Sequence, residues 1–331
     1  MRLMFTIDVE LSPVHHRARP GDVGDNARRA YYGGARGRWG LLDQLDLLGA
    51  AGLKAVCFVE ALSAYVAGQA QLTRICQEIQ ERGHEVQLHT HPEWLRMSDD
   101  ADLRALGATG MAELDLAAQT RVIALGLQSL REAGVRGVVA HRAGGFLANA
   151  DTLRACAANA LTFDSSYNQT YAGSGCAIAL CGNPAVPQRV DGVWCVPVAN
   201  LVTAAGGRRH LQICAVSSAE MRAGLAAARA AGWPVAVMLS HSFELLTRDR
   251  TRPNLILVRR FRTCVADWAA GDCRTVGFAD LDPGALAATT AAPGAAPGKV
   301  ARIGRLATAG RLLSQAAQRL LETRIGGEQP R

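Results

Sequence analysis

Short, nearly unbroken apolar runs alternate along this chain with longer stretches in which apolar residues recur every three to four positions. Residues 3–7 (Leu-Met-Phe-Thr-Ile) predict a buried strand, and 54–59, 85–91, 135–140, 161–163 and 234–240 predict further strands. Between them, 39–51, 69–82, 114–133, 149–159, 217–231 and 254–270 carry helical spacing, three of them closed by Gly52, Gly83 and Gly134. From 171 to 197 the pattern loosens into Gly, Asn and Pro, which predicts loops and short strands. Strands alternating with helices predict an α/β fold of parallel βα units, either a barrel or an open sheet. Ligands collect at the C-terminal ends of the strands in both arrangements, so polar residues there are the ones to weigh.

The pattern changes again near the end. Residues 283–298 are Ala, Pro, Gly and Thr together with Leu286, and read as a flexible linker. Beyond it Ile303, Leu306, Leu313 and Leu320 keep a three-to-four spacing with arginines between, the mark of a basic amphipathic helix over 299–331. The domain reading is therefore a main unit over 1–282, a linker, and this tail.

Composition narrows the class. With 331 residues, 49% hydrophobic and 20% charged, the chain can bury a large core. No window is long and apolar enough to span a bilayer, and the opening MRLMFTIDVE runs straight into a strand without the features of an export signal. Nine scattered cysteines then read as mostly buried thiols, and the expected compartment is the cytoplasm. The net charge of +7 is concentrated: Lys299, Arg302, Arg305, Arg311, Arg319 and Arg324 against Glu322 leave the rest of the chain nearly neutral. The charge belongs to the tail, so no nucleic-acid partner is expected. A peripheral contact with an anionic membrane surface is the sharper reading of the tail, and a surface-packed helix the plainer one.

Four polar clusters follow strands. Asp8-Val9-Glu10 places two carboxylates at i and i+2, on one face of a strand. His89-Thr90-His91 does the same for two imidazoles, a moderately specific metal-binding signal, since zinc favours mixed N and O ligands. Arg142, ahead of Gly144-Gly145, can orient a carboxylate, and Asp164 ends the next strand. His241 emerges from the apolar run 234–240. Singly, Arg142 reads more readily as a structural ion pair and His241 as a core histidine, and a solvated strand end is the plainer alternative for Asp8 and Glu10. Together they supply metal ligands, a base and an acid, the parts required for metal-assisted hydrolysis.

In order and content these motifs resemble the polysaccharide deacetylase family, also called the NodB-homology domain or carbohydrate esterase family 4. The counterparts are Thr6-Ile7-Asp8-Val9-Glu10, Gly83-His84-Glu85-Val86 with His89-Thr90-His91, Arg142-Ala143-Gly144, Asp164-Ser165-Ser166-Tyr167 and Leu239-Ser240-His241, spread over roughly residues 1–282. The resemblance implies a distorted (β/α)7 barrel and removal of an N-acyl group from a sugar. It implies Asp8 as catalytic base, Arg142 as the residue orienting it, and His241 as general acid. It further implies a divalent ion, zinc foremost with cobalt, nickel or manganese as alternatives, with His89 as a ligand; strand spacing adds His91, and the acid is Glu10 or else Asp8 itself, with Asp164 and Glu93 as further support. Two departures stand out: Val9 occupies the place of the family's second aspartate, and the second histidine follows the first by two residues instead of four, with Glu93 at the usual position. Similar DVE and HxH variants are associated with O-antigen biosynthesis, which implies a nucleotide- or lipid-linked sugar precursor handled at the inner membrane face. The alternatives are a phosphoesterase or amidohydrolase built on HxH, and a carbohydrate-binding protein without activity.

Overall fold

The computed structural model describes residues 1–34, 38–203, 206–271, 275–290 and 301–302. Strand β1 (Arg2–Val9) is central, flanked by β2 (Ala55–Glu60) on one side and by a late strand, Val235–His241, on the other. Beyond β2 the sheet continues through β3 (Glu85–Thr90), β4 (Ala140–Ala143), β5 (Phe163–Asp164) and β7 (Val193–Cys195). At the edge, β6 (Gln188–Val190) pairs with β7 antiparallel. A small second sheet holds β8 (Asn200–Val202), β9 (Arg208–His210) and β11 (Ala301–Arg302), and the late strand is β10.

The sheet curls back on itself. Past Cys195 the chain keeps its direction, with Val196 N donating to Asp164 O at 2.7 Å, and Val198 then forms a parallel bridge with Val237 of β10. Seven parallel strands (β10, β1, β2, β3, β4, β5 and β7 with its continuation) therefore form a ring whose last junction is a single bridge. This is the distorted (β/α) barrel that the motifs imply.

Both faces of these strands are covered, so they read in sequence as continuous apolar runs, yet period two still sorts their side chains. Met4, Val56, Phe58, Ala140, Phe163, Trp194, Val196, Val237 and Leu239 fill the barrel interior. Leu3, Phe5, Ile7, Val9, Cys57 and Val59 pack outward with the helices. The helix Leu116–Glu132 comes close to β3 at Gly126, where a Cβ would lie 2.7 Å from Leu88 Cδ1. Asn149 and Ser217 cap Ala150–Ala158 and Ser218–Ala230 through capping boxes, which sets both helix starts within a residue of the sequence pattern.

Three expectations change. The strand placed at 135–140 runs instead over Ala140–Ala143, so His141 and Arg142 lie within it rather than after it. Helices Pro13–Ala18 and Val23–Ala30 were not legible, being short and too polar for a clear stripe. The supposed linker begins as a helix, Pro283–Thr290: Asp282 Oδ1 accepts from Gly284 N at 2.8 Å, and Leu286 is buried in the inner cluster. The remainder of 283–298, and the 299–331 tail apart from Ala301–Arg302 paired with β8, lie outside the described residues. No described helix is long and apolar enough to cross a membrane.

Candidate active site

Each predicted site residue except Asp164 belongs to the C-terminal mouth of the barrel. Alternation on β1 sends Val9 into the outer cluster and leaves Asp8 and Glu10 on the inner side. A second carboxylate, that of Glu10, therefore stands on the inner side two residues after Asp8. On β3 the same alternation presents His89 and His91 together, ring centroids 4.9 Å apart. Candidate ligand atoms of Glu10, His89 and His91 all lie within 4.8 Å of one another.

The imidazoles are held differently. His89 Nδ1 donates to Arg142 O at 2.8 Å, which leaves Nε2 as a lone pair 3.6 Å from Glu10 Oε2. Burial lowers the His89 pKa, favouring the neutral ring that a metal requires. His91 Nε2 sits 2.8 Å from Glu10 Oε2, an ion-pair contact, and has no other hydrogen-bond partner among the described residues. Burial opposes its protonation, but Glu10, Glu93 and Glu60 outweigh burial and raise its pKa well above the usual value. Burial likewise works against a charged Glu10, and the two histidines overcome it, holding the carboxyl well below its ordinary range. Glu93 is half-buried, 3.5 Å from His91 Nδ1.

Asp8 faces the same space. Arg142 Nη1 donates to Asp8 Oδ1 at 2.6 Å and to Thr6 Oγ1 at 3.0 Å. The other guanidinium nitrogens bind Ser165, Nε to its carbonyl at 3.2 Å and Nη2 to its hydroxyl at 3.1 Å. Arg142 is fully buried, with Cζ 4.1 Å from the Phe58 ring centroid. A guanidinium so enclosed has one orientation, and it fixes the carboxylate of Asp8.

His241 is the direct neighbour of Asp8 across the β1–β10 ladder. Its Nδ1 lies 3.2 Å from Glu244 Oε2 and 3.1 Å from Gln212 Nε2. Glu244 is fixed in turn by Gln212 Nε2 at 2.8 Å and by the Cys214 amide at 2.7 Å. Burial lowers the His241 pKa, but Glu244, with Asp8 and Glu10 beyond it, prevails and lifts it to about 9. The ring is therefore protonated at neutral pH.

Asp164 is elsewhere. It occupies the outward position of β5, where Oδ2 lies 2.9 Å from His141 Nδ1 and accepts from Ser166 Oγ at 2.8 Å. His141 Nε2 meets Thr90 Oγ1 at 2.9 Å, so the network ties β3, β4 and β5 on the far side of the sheet. Support by Asp164 is therefore structural, and in-facing Ser165 touches Arg142 in its place. His84 stays at the opposite end, accepting from Ala55 N at 3.1 Å.

Several contributors escaped the sequence reading. Thr6 precedes Asp8 by two and shares its face, a signal that was present. Glu244 follows His241 by three, but Gln212 comes from a different segment and has no local mark. Glu60 stands level with His89 on β2; burial raises its pKa to about 7 while Leu62 N and Ser63 N donate to it. Gly144 lets backbone approach the His91 ring, since a Cβ there would lie 2.4 Å from Cε1.

No protein-family profile matches the sequence, and no curated protein does. Solved structures do. A Mycobacterium smegmatis protein assigned to the polysaccharide deacetylases aligns over 88% of this chain and 92% of its own, with 18% identity and a TM-score of 0.55. A family 4 carbohydrate esterase from Streptomyces lividans in complex with acetate aligns over 81% and 89%, with 15% identity and a TM-score of 0.37. A family 4 acetyl xylan esterase from Clostridium thermocellum in complex with a cobalt ion aligns over 90% and 95%, with 14% identity and a TM-score of 0.38. The first likeness establishes the polysaccharide deacetylase fold; the other two are too distant to add to it.

Proposed function

We propose that this chain, built on the polysaccharide deacetylase fold, is a metal-dependent hydrolase that removes an acetyl or formyl group from the nitrogen of a sugar. One observation carries the reading: in-facing positions of β1, β3, β4 and β10 bring a two-histidine, one-carboxylate cluster, an arginine-held carboxylate and a protonated histidine to one mouth.

The cluster fits a divalent cation. Two imidazole nitrogens and a carboxylate oxygen converge, one imidazole is fixed in the tautomer that frees its lone pair, and the other turns its buried nitrogen to the same carboxylate, 2.8 Å away. That donor set suits zinc, with cobalt, nickel or manganese as alternatives. When bound on Glu10, His89 and His91, the ion supplies Lewis-acid polarisation of the amide and acidifies water. The protein's own residues supply the proton transfers. Asp8, held by Arg142, accepts the proton from the attacking water, and His241, held by Glu244, gives a proton to the departing amine. Breaking the C–N bond thus leaves a free carboxylic acid and a sugar amine.

The substrate in this reading is a precursor of surface polysaccharide such as O-antigen, handled in the cytoplasm and at the inner face of the membrane. The DVE and HxH variants and the basic residues after 299 support this context. Membrane association that persists unchanged after deletion of residues 284–331 would remove the membrane part.

The deciding experiment is an assay of metal-loaded protein on N-acetyl and N-formyl sugars, following acetate, formate and phosphate, with His89→Ala as control. Acetate or formate released by the wild type and not by the variant is expected. Phosphate release instead would move the chain to the HxH phosphoesterases, and failure to take up any divalent metal would favour a binding protein.

A further inference from the structure

Arg250, a half-buried arginine close to the barrel mouth, has no role in the chemistry above. Residues 246–253, which follow β10, form a short antiparallel excursion in which Leu246 bridges Pro253 and Thr247 N donates to Arg252 O at 2.8 Å. The tip is stiffened from within: Thr247 Oγ1 donates to Asp249 Oδ1 at 2.6 Å, and Thr251 N donates to the same oxygen at 3.1 Å. The carboxylate adjoining Arg250 is thereby committed to the loop itself. Arg250 has a φ of 56°, in the left-handed region that non-glycine residues seldom adopt and that recurs at ligand clamps. From the other side the loop is pinned by Gly34, where a Cβ would lie 2.3 Å from Arg250 O.

The Arg250 guanidinium lies over Phe243, Cζ 3.4 Å from the ring centroid, and the Phe243 ring is 5.3 Å from that of His241. The proposed acid and the Arg250 guanidinium thus both neighbour one aromatic ring. Burial disfavours the Arg250 charge, and Glu10 is the foremost group favouring it. Its Nη1 is buried without a hydrogen-bond partner, and the guanidinium has no ion pair among the described residues. A buried donor left without a partner is costly, and an incoming anion that accepts from it removes that cost.

We propose that Arg250 is an anion-recognition residue, receiving an oxyanion (phosphoryl or carboxylate) carried by the sugar whose amide meets Asp8 and His241. The planar fork of a guanidinium matches either oxyanion, so the substrate class is an anionic N-acyl sugar. This deepens the deacylase reading and rests on it for the placement of the amide; the anion contact itself is a binding event that can be measured apart from turnover.

The test uses the full-length protein and calorimetric titration with N-acetylglucosamine, its 1-phosphate and its uronic acid, the two acids distinguishing phosphoryl from carboxylate. At least one anionic probe binds the wild type about tenfold tighter than the neutral sugar or better. Arg250→Gln abolishes the preference, and Arg248→Gln, an exposed arginine of the same loop, keeps it. A wild type without preference, or a preference that survives Arg250→Gln, overturns the proposal. If Arg250→Gln does not fold, Arg250→Lys decides: loss of most of the preference supports a fork-shaped contact, and full retention overturns it. Binding preference without acyl release would strike the deacylase reading alone. Equal binding and equal acyl release for neutral and anionic sugars would strike the anion site alone.

Discussion

Asp8 and His241 are register partners on neighbouring parallel strands, so the proposed base and the proposed acid are delivered at one height of the barrel wall. Each is held by a buried partner: Arg142 for Asp8, and Glu244, itself fixed by Gln212, for His241.

The Arg142–Asp8 pair lies within the core, where removing one partner leaves a buried charge. Arg142→Met is expected to cost about 3–5 kcal/mol of stability and to abolish acyl release. Denaturant unfolding checks the first part. Stability within 1 kcal/mol of wild type (about the size of an exposed pair) would show that the pair is solvated.

Proton titration of His241 provides a second check. Its pKa is raised to about 9, so the stability it contributes is fully present below the ordinary value of 6.5 and is lost as pH rises through 9. Activity that needs the protonated ring falls over the same upper range. Glu244→Gln removes the main source of the rise, so the alkaline limb moves to lower pH, and NMR titration of the metal-free protein reads the same downward shift. An unmoved limb would free His241 from the acid role.

Metal affinity is expected to follow the protonation of His91, because proton and cation compete for one lone pair. The raised pKa of that ring predicts affinity that climbs with pH. Glu10→Gln, His89→Ala and His91→Ala each weaken zinc binding by more than the ~10–100-fold typical of an outer-sphere partner. Competition with a chelator measures it.

Gly144 and Gly145 are adjacent but differ in consequence. Gly144→Ala puts a methyl against the His91 ring and is expected to weaken metal binding about tenfold or more, as displaced outer-sphere partners do. Gly145 has a φ of 59° and only Leu147 near its Cβ direction, so Gly145→Ala costs about 1 kcal/mol of backbone strain and leaves metal affinity unchanged. Equal effects on metal binding would remove the special role of Gly144.

Asp164→Asn provides the contrast to the site variants. It weakens the His141–Asp164 pair on the outer side of the sheet and is expected to lower stability by about 1–3 kcal/mol while metal stoichiometry stays at wild type. Lost metal binding in a folded variant would return Asp164 to the site.

The sequence by itself determined much of this protein. Apolar runs and helical spacing located the long strands and helices, because burial of a strand's two faces or a helix's one face is written in consecutive residues. Two-residue spacing placed Asp8 with Glu10 and His89 with His91, since strand alternation is a local rule. Only the tertiary structure decided that Val9 turns outward while Glu10 meets both histidines, and that Asp164 belongs to the far side of the sheet. It alone brought Thr6 and Ser165 to Arg142, Gln212 to His241, and Arg250 back over Phe243. The longest of those contacts, between Thr6 and Arg142, joins residues 136 positions apart. Ring closure creates such meetings, and no local pattern of hydrophobicity encodes which distant side chain a curled sheet will present.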